Sequence, residues 1–356
     1  MTDLGSLGER AIIRDILWPR YAGLSPGDFG DDCAVLYLNE SDSLLVTIDP
    51  CPLPMAWQLG FNDYYYAGWL LVTINLSDIA AMGGKPLGLV TSLIMPNATS
   101  RADLERLLDG VDCAARQAHT LVLGGNIKEA PYFCCEAAAV GLATTSQLIR
   151  RVGAAPGDLV IVVGDLGLFW AGVLSRIKGL TLSDEYLQRL LLNILTPRAK
   201  VNDGQVLGEN RLVTSGLDNS DGLYPSLKEL AVSNSVDIFV DFSNIRWDPV
   251  VSEVASQLKL QPERMAMGWG DWQLIVTAPD VGIERIRDAL AHLKTPIHVI
   301  GRVESGNGRV MLTMDGLTGE MMPLDSERFS PKSWFTSGID SYIDELVGAP
   351  LLTKLD

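Results

Sequence analysis

Basic residues and histidine are scarce in this 356-residue chain, which has three His and 28 Lys plus Arg against 44 Asp plus Glu, a formal net charge of −16. With a sequence pI near 4.6 it is a poor match for nucleic-acid phosphates, which need a basic footprint. The same charge disfavours docking on anionic membranes. No Cys-x-x-Cys and no His pair at helical spacing occurs among His119, His292 and His298, so structural zinc is not expected. The five cysteines, Cys33, Cys51, Cys113, Cys134 and Cys135, are odd in number and irregularly spaced. That argues against a disulfide framework and for free thiols in a reducing compartment. Apolar runs stop at the length of Leu159–Val163, far below a membrane span. Met1–Gly5 has neither a basic nor an apolar signal region. The expectation is a soluble cytoplasmic protein without nucleic-acid or membrane partners.

The length is large for one core, and 47% hydrophobic residues suffice for two. Helices are predicted over 7–20, 63–82 and 101–118, the last capped by Ser100. Strands are predicted at Cys33–Leu38, Leu44–Ile48, Leu87–Met95, Thr120–Leu123 and Glu136–Thr144. A second unit starts near Arg150, with strands at Leu159–Val163, Val236–Val240, Gln273–Thr277, Ile297–Val303 and Val310–Met314. Between them lie helices from about Leu168 and at Glu185–Ile194, Ala199–Gly208, Leu223–Ser233, Val250–Lys259 and Ile283–Leu293. A terminal helix is expected at Ile339–Val347. This order reads as α+β rather than strict strand–helix alternation. Gly164-Asp165-Leu166-Gly167 follows a strand but lacks Gly-x-Gly-x-x-Gly and Gly-Lys-Ser/Thr, so it reads as a plain turn.

The acids carry the chemistry. Tyr66, Leu70, Ile74 and Met82 recur on one helical face, and Gly83-Gly84 with Pro86 is a helix stop. Asp78 therefore sits near the negative end of the helix dipole, where a carboxylate gains nothing and a bound cation would offset it. Gly30-Asp31-Asp32 precedes the run Cys33–Leu36. Asp49 ends Leu44–Ile48, and Asp218-Asn219-Ser220-Asp221-Gly222 precedes a helix. Acids at the ends of apolar elements suit oxygen-liganded Mg2+ bound together with substrate phosphates.

These blocks, together with Asn75–Pro86, Gly124-Gly125 and Arg150–Asp158, resemble thiamine-monophosphate kinase. That family belongs to an ATP-using superfamily with aminoimidazole ribonucleotide synthetase, selenophosphate synthetase and the hydrogenase-maturation dehydratase. The resemblance runs from about Gly8 to Val303. It implies a two-domain α+β fold, residues 1–149 forming an ATP/Mg-binding and dimerisation domain whose mixed sheet pairs across a homodimer, and 150–356 forming a C-terminal α+β domain. It implies ATP and Mg2+ as cofactors. Asp32, Thr47, Asp49, Asp78, Asp218 and Asp221 would be metal ligands. Gly124, Gly125, Asn126, Arg151 and Ser220 would contact the nucleotide. Arg150 is either a partner in this or a solvated edge.

Three departures stand out. Asn126 replaces the family's aspartate and brings an oxygen but no charge. Ala56, in the proline-stiffened stretch Pro50–Trp57, replaces a substrate-contacting histidine. Gly268–Leu274 replaces Gly-Gly-Glu-Asp-Tyr-Glu-Leu, so that Gly270 stands for a substrate-contacting glutamate. Trp57, Trp269 and Trp272 offer flat apolar surface to an acceptor, or belong to a core. The expectation is an ATP-dependent phosphotransferase acting on a small-molecule acceptor other than thiamine monophosphate. The alternatives are activation of an amide or carbonyl oxygen, or a catalytically weak nucleotide-binding protein.

Overall fold

A computed structural model describes residues 3–21, 30–243, 245–314, 316–324, 327–330 and 333–353. The first sheet comprises β1 (Ala34–Tyr37), β2 (Asp42–Pro50), β3 (Lys85–Met95), β4 (Val122–Glu129) and β5 (Cys134–Thr144), in the order β1-β2-β5-β3-β4. Only β3 and β4 run parallel. The helix Arg101–Gln117 joins them, as a parallel crossover requires. Along β5 buried and half-buried residues alternate, and the inward set is small: Cys135, Ala137, Ala139 and Ala143. That lets the helix Tyr64–Ala81 lie close on the sheet.

The second sheet comprises β6 (Asp158–Val163), β7 (Ser215–Asp218), β8 (Val236–Asp241), β9 (Leu274–Pro279), β10 (Ile297–Ser305), β11 (Val310–Met314) and β12 (Leu317–Glu320). Their order is β12-β11-β8-β10-β6-β9-β7. Every residue of β6 is buried. Val160 and Val162 enter one core, while Leu159, Ile161 and Val163 enter the other, which is why this strand reads as an unbroken apolar run.

The helix Tyr64–Ala81 joins the two sheets. It packs on β2 and β5 on one side and on β7 and the helix Val201–Glu209 on the other. Residues all round it are buried, as befits a helix with no solvent face. The expected core stripe turns out differently: Leu70 and Ile74, with Asp78, line a cleft. The core contacts come from Leu71, Val72, Leu76, Ile79 and Ala80 on the other faces.

The helix is seated by glycine. A Cβ on Gly204 would stand 2.0 Å from the Ala80 carbonyl oxygen, beside the end that carries Asp78. Overpacking backbone against backbone costs about 1–3 kcal/mol. Gly204→Ala is expected to destabilise by that amount in urea unfolding and to weaken metal binding. Wild-type values for both would show that the helix end is not seated by this contact.

Other differences from the sequence reading have local causes. The predicted strand Thr120–Leu123 is β4, Val122–Glu129, and runs straight through Gly124-Gly125-Asn126. The first helix contains a π turn at Ile13–Leu17. The strand β7 was missed because all four of its residues are buried and show no alternation. The proline-rich stretch after β2 ends in a helical turn, Met55–Gln58. Among the described residues no helix is long and apolar enough to cross a membrane.

Candidate active site: a carboxylate cluster between the two sheets

Three acids from distant segments meet where the sheets adjoin. Asp32 precedes β1, Asp78 closes the joining helix, and Asp218 ends β7. One carboxylate oxygen from each lies within 4.8 Å of the others. Hydrogen bonds from three hydroxyls orient the group, and a fourth bond fixes the end of β2 beside it. Thr47 Oγ1 on β2 donates to Asp78 Oδ2 at 2.5 Å. Ser77 Oγ donates to Asp218 Oδ2 at 2.6 Å, and Ser220 Oγ to Asp218 Oδ1 at 2.9 Å. The Asp49 amide donates to Asn75 Oδ1 at 3.1 Å. Three residues of one helical turn, Asn75, Ser77 and Asp78, thus reach β2, β7 and the cleft.

The charges are not matched within the chain. Arg151 Nη2 donates to Asp32 at 2.6 Å, and Arg150 Nη1 to Asp31 at 2.6 Å. Arg150 is therefore a paired, largely buried side chain and not a solvated edge. Burial, then the charges of Asp218, Asp49 and Asp32, push the Asp78 carboxyl well above the carboxylate range. Burial and the Asp32 charge push Asp218 to about 7, against the hydrogen bonds from Ser77 and Ser220. Burial raises Asp32 and Asp49 as well. Acids that outnumber the one guanidinium paired with them, all offering hard oxygen donors, form a set that fits a divalent cation such as Mg2+.

The cleft is lined at this end by Asp49, Asp78, Asp218, Asp221, Ser220 and Arg151. Its other wall is aromatic. Trp269 stacks on Trp334 with ring centroids 5.1 Å apart and planes 12° apart, and packs 5.5 Å from Phe169. Trp272 also lines it. Gly270 has φ +97°, its N–H donates to the Ser220 carbonyl at 2.9 Å, and a Cβ would press to 3.0 Å on the Phe169 ring. Any side chain there would be strained.

Five of the sequence-selected residues lie elsewhere. Ala56 is wholly buried in the core. Trp57 packs against Tyr64 and Phe133 and donates to the Asp63 carbonyl, outside the cleft lining. The cleft instead receives Pro50, Pro52, Leu53 and Met55 from that stretch. Gly124, Gly125 and Asn126 lie on the exposed edge strand. Asp49 pairs with Ala137, Ala137 with Thr91 and Thr91 with Gly125. Three strand spacings separate Gly125 from Asp49, about 14 Å.

Sequence reading passed over Ser77, which stands inside the strongest block, and the acid–base pair Asp31–Arg150. It also passed over the contributions of both termini, Glu9, Arg10, Arg328 and Trp334. Ser77 could have been found from its place beside Asp78. The terminal residues meet the cleft only through long-range folding.

Comparison with known proteins gives the chain its family. Residues 30–143 match the N-terminal domain, and 155–313 the C-terminal domain, of AIR synthase related proteins. A thiamine-monophosphate kinase of Pyrococcus horikoshii is 33% identical over 283 residues, 78% of this chain and 84% of the relative. The enzyme of that name from Escherichia coli K12 is 27% identical, covering 81% of this chain and 87% of its own. A solved AaThiL chain complexed with AMPPCP and TMP superposes with a TM-score of 0.74 at 26% identity, covering 89% of this chain and 96% of that one. The hydrogenase maturation protein HypE in complex with ATP, 18% identical with a TM-score of 0.65, shares the fold. The chain belongs to the AIR synthase related protein family as a thiamine-monophosphate kinase-like member, an ATP-dependent phosphotransferase.

Proposed function

We propose that the protein transfers the terminal phosphoryl group of ATP, with Mg2+, to a small phosphate ester with a flat aromatic end. The observation that carries this is one cleft lined both by clustered carboxylates and by Trp269, Trp272, Trp334 and Phe169. Thiamine monophosphate, after which these relatives are named, is such an ester. The expectation of a changed acceptor finds no support among those relatives. The rebuilt loop Pro50–Met55 and Gly270 are what still favour it.

In this reading Asp32, Asp49, Asp78, Asp218, Asp221 and the Thr47 hydroxyl hold the metal. The metal would neutralise phosphate oxygens and align the phosphates. The chain's own part is positioning. Ser77, Ser220, Thr47 and Asn75 hold the carboxylates and the β2 end in place before any ligand arrives. Arg151, fixed by Asp32, places a fork-shaped donor beside the phosphates. The indole wall supports the acceptor and excludes water from the transfer end.

The reading extends to a homodimer. Ile48 and Val90 lie in one row of the first sheet, and both are exposed. An apolar surface of this kind suits burial by a second copy. Gly124–Asn126 would then stand at the seam.

Two measurements test the reading. Protein with ATP, Mg2+ and thiamine monophosphate should give ADP and the diphosphate ester in equal amounts, at a turnover of about 1–100 per second. ADP formed only with other phosphate esters would move the function to the changed acceptor. ADP with free phosphate and no phosphorylated product would favour activation of a carbonyl or amide oxygen. In scanning fluorimetry ATP should raise the melting temperature with Mg2+ and not in EDTA, because the unmetallated acids repel the nucleotide. Equal shifts in both would remove the metal from the reading.

A further inference from the structure

The loop 268–273 is fastened on two sides. On one side it is tied to the segment that carries Asp218 and Asp221. The Gly270 amide donates to the Ser220 carbonyl at 2.9 Å, and the Asn219 amide to the Gln273 carbonyl at 2.8 Å. A Cβ on Gly222 would stand 2.6 Å from the Met267 carbonyl oxygen, so the two backbones meet closely. On the other side the loop holds the first turn of the helix Leu168–Ile177. The buried Asp271 accepts from the Gly167 amide on Oδ2 at 2.7 Å and from the Phe169 amide on Oδ1 at 3.3 Å. Trp170 Nε1 donates to the Trp269 carbonyl at 2.7 Å.

Asp271 stands outside the cleft lining, yet what it holds lies inside. Phe169 lines the cleft with Trp269 and Trp272, and its ring lies 5.5 Å from the first and 6.2 Å from the second. An ionised carboxylate accepts both amides at full strength. Protonation puts a hydrogen on one of the two accepting oxygens and weakens that bond. Burial pushes this ionisation up to about 7. The charged groups that face Asp271 are Asp165, which raises the value, and Lys200, which lowers it. Asp165 is itself paired with Arg189 at 3.4 Å and lies near His298. None of these groups is among the carboxylates assigned to the metal.

We propose that Asp271 is a positioning residue for the acceptor, holding the Phe169 ring against Trp269 and Trp272 and thereby fixing the aromatic wall relative to Asp218 and Asp221. This rests on the phosphoryl-transfer reading above. It adds that acceptor affinity, and not nucleotide affinity, follows the protonation of a side chain that touches neither ligand.

The test is calorimetric titration of wild type and Asp271→Asn with thiamine monophosphate and, separately, with AMPPCP, all with Mg2+, at about pH 6 and about pH 8. Asparagine keeps one accepting oxygen and loses the other. At the higher pH the variant should bind thiamine monophosphate about 10-fold more weakly than wild type. At the lower pH wild type carries the neutral acid, and the two affinities should converge to within about twofold. The ester's own phosphate titrates at about pH 6 and cancels when the two proteins are compared at one pH. AMPPCP affinity should match wild type throughout. The variant should melt no lower than wild type at the higher pH, where asparagine removes a buried charge, so that weakened binding is not unfolding. Equal weakening toward both ligands, the same weakening at both pH values, or no weakening overturns the proposal. Wild type that binds AMPPCP and not thiamine monophosphate would overturn the acceptor reading together with this one, an outcome distinct from an unaffected variant.

Discussion

Asp78→Asn is expected to lower phosphoryl transfer about 10²–10³-fold, the scale of losing one preorganised electrostatic group at a transition state. The same variant should melt higher than wild type in EDTA near pH 8. Asp78 is buried with Asp218, Asp49 and Asp32 around it. Without a cation its ionised form is a cost to the fold, and asparagine removes that cost while still accepting from Thr47. With Mg2+ the order should reverse, because the wild type gains binding energy that the variant has lost. Fluorimetry with and without the ion, alongside a coupled ADP assay, reads all three effects. A fully active Asp78→Asn protein would sink the metal-ligand assignment.

A second large effect is an inverted dependence of stability on pH. Burial puts both Asp218 and Asp271 at about 7, against an ordinary value of 3.8. Asp271 is far less connected to the cluster, since it accepts from the Gly167 and Phe169 amides at 2.7 and 3.3 Å. For an acid raised on folding, the native state keeps protons that the unfolded chain has already lost. Stability therefore falls as pH rises from the unfolded value through the folded one. The metal-free protein should lose several degrees of melting temperature between about pH 5.5 and 8. Acids lowered on folding, such as Asp237 beside Arg309 and Asp63 beside Arg106, act in a more acidic window and leave this one clear. Mg2+ should flatten the part of the slope owed to the cluster. Asp271→Asn should remove the part that persists. A melting temperature that rises across this window in EDTA would contradict both assignments.

The carboxylates were legible because each stands at the end of an apolar element, and such ends are marked by short-range signals. Asp49 follows Leu44–Ile48, and Asp78 precedes Gly83-Gly84. The direction in which an element faces was less legible. The stripe Leu70–Ile74 has the spacing of a core face, and it faces the cleft because the helix is buried on its other sides as well. The aromatic wall of the cleft was half legible. Trp269 and Trp272 reach the cleft, whereas Trp57 is held by its own neighbours Tyr64 and Phe133. The stacking of Trp334 on Trp269 joins residues 65 positions apart, and no local pattern marks it. The glycines of β4 resemble a phosphate loop in sequence and are extended edge-strand residues in the fold.

The joining helix also limits how the molecule can open. Trp69 and Thr73 on it donate to the Pro197 carbonyl, Ser77 holds Asp218, and Asn75 holds the end of β2. Parting the two sheets would break these bonds and expose the core they share. Hinge bending between halves, a usual way for two-domain kinases to admit and release ligands, would have to break all of these at once. The cheaper route is the terminal strap formed by Gly8–Arg10 and Glu327–Phe329, where the Gly8, Glu9 and Arg10 amides donate across to Phe329, Arg328 and Glu327. Glu327→Ala, which removes the acceptor of the Arg10 amide and leaves the buried Tyr342, Ile343 and Leu346 in place, should accordingly alter product release before it alters the fold.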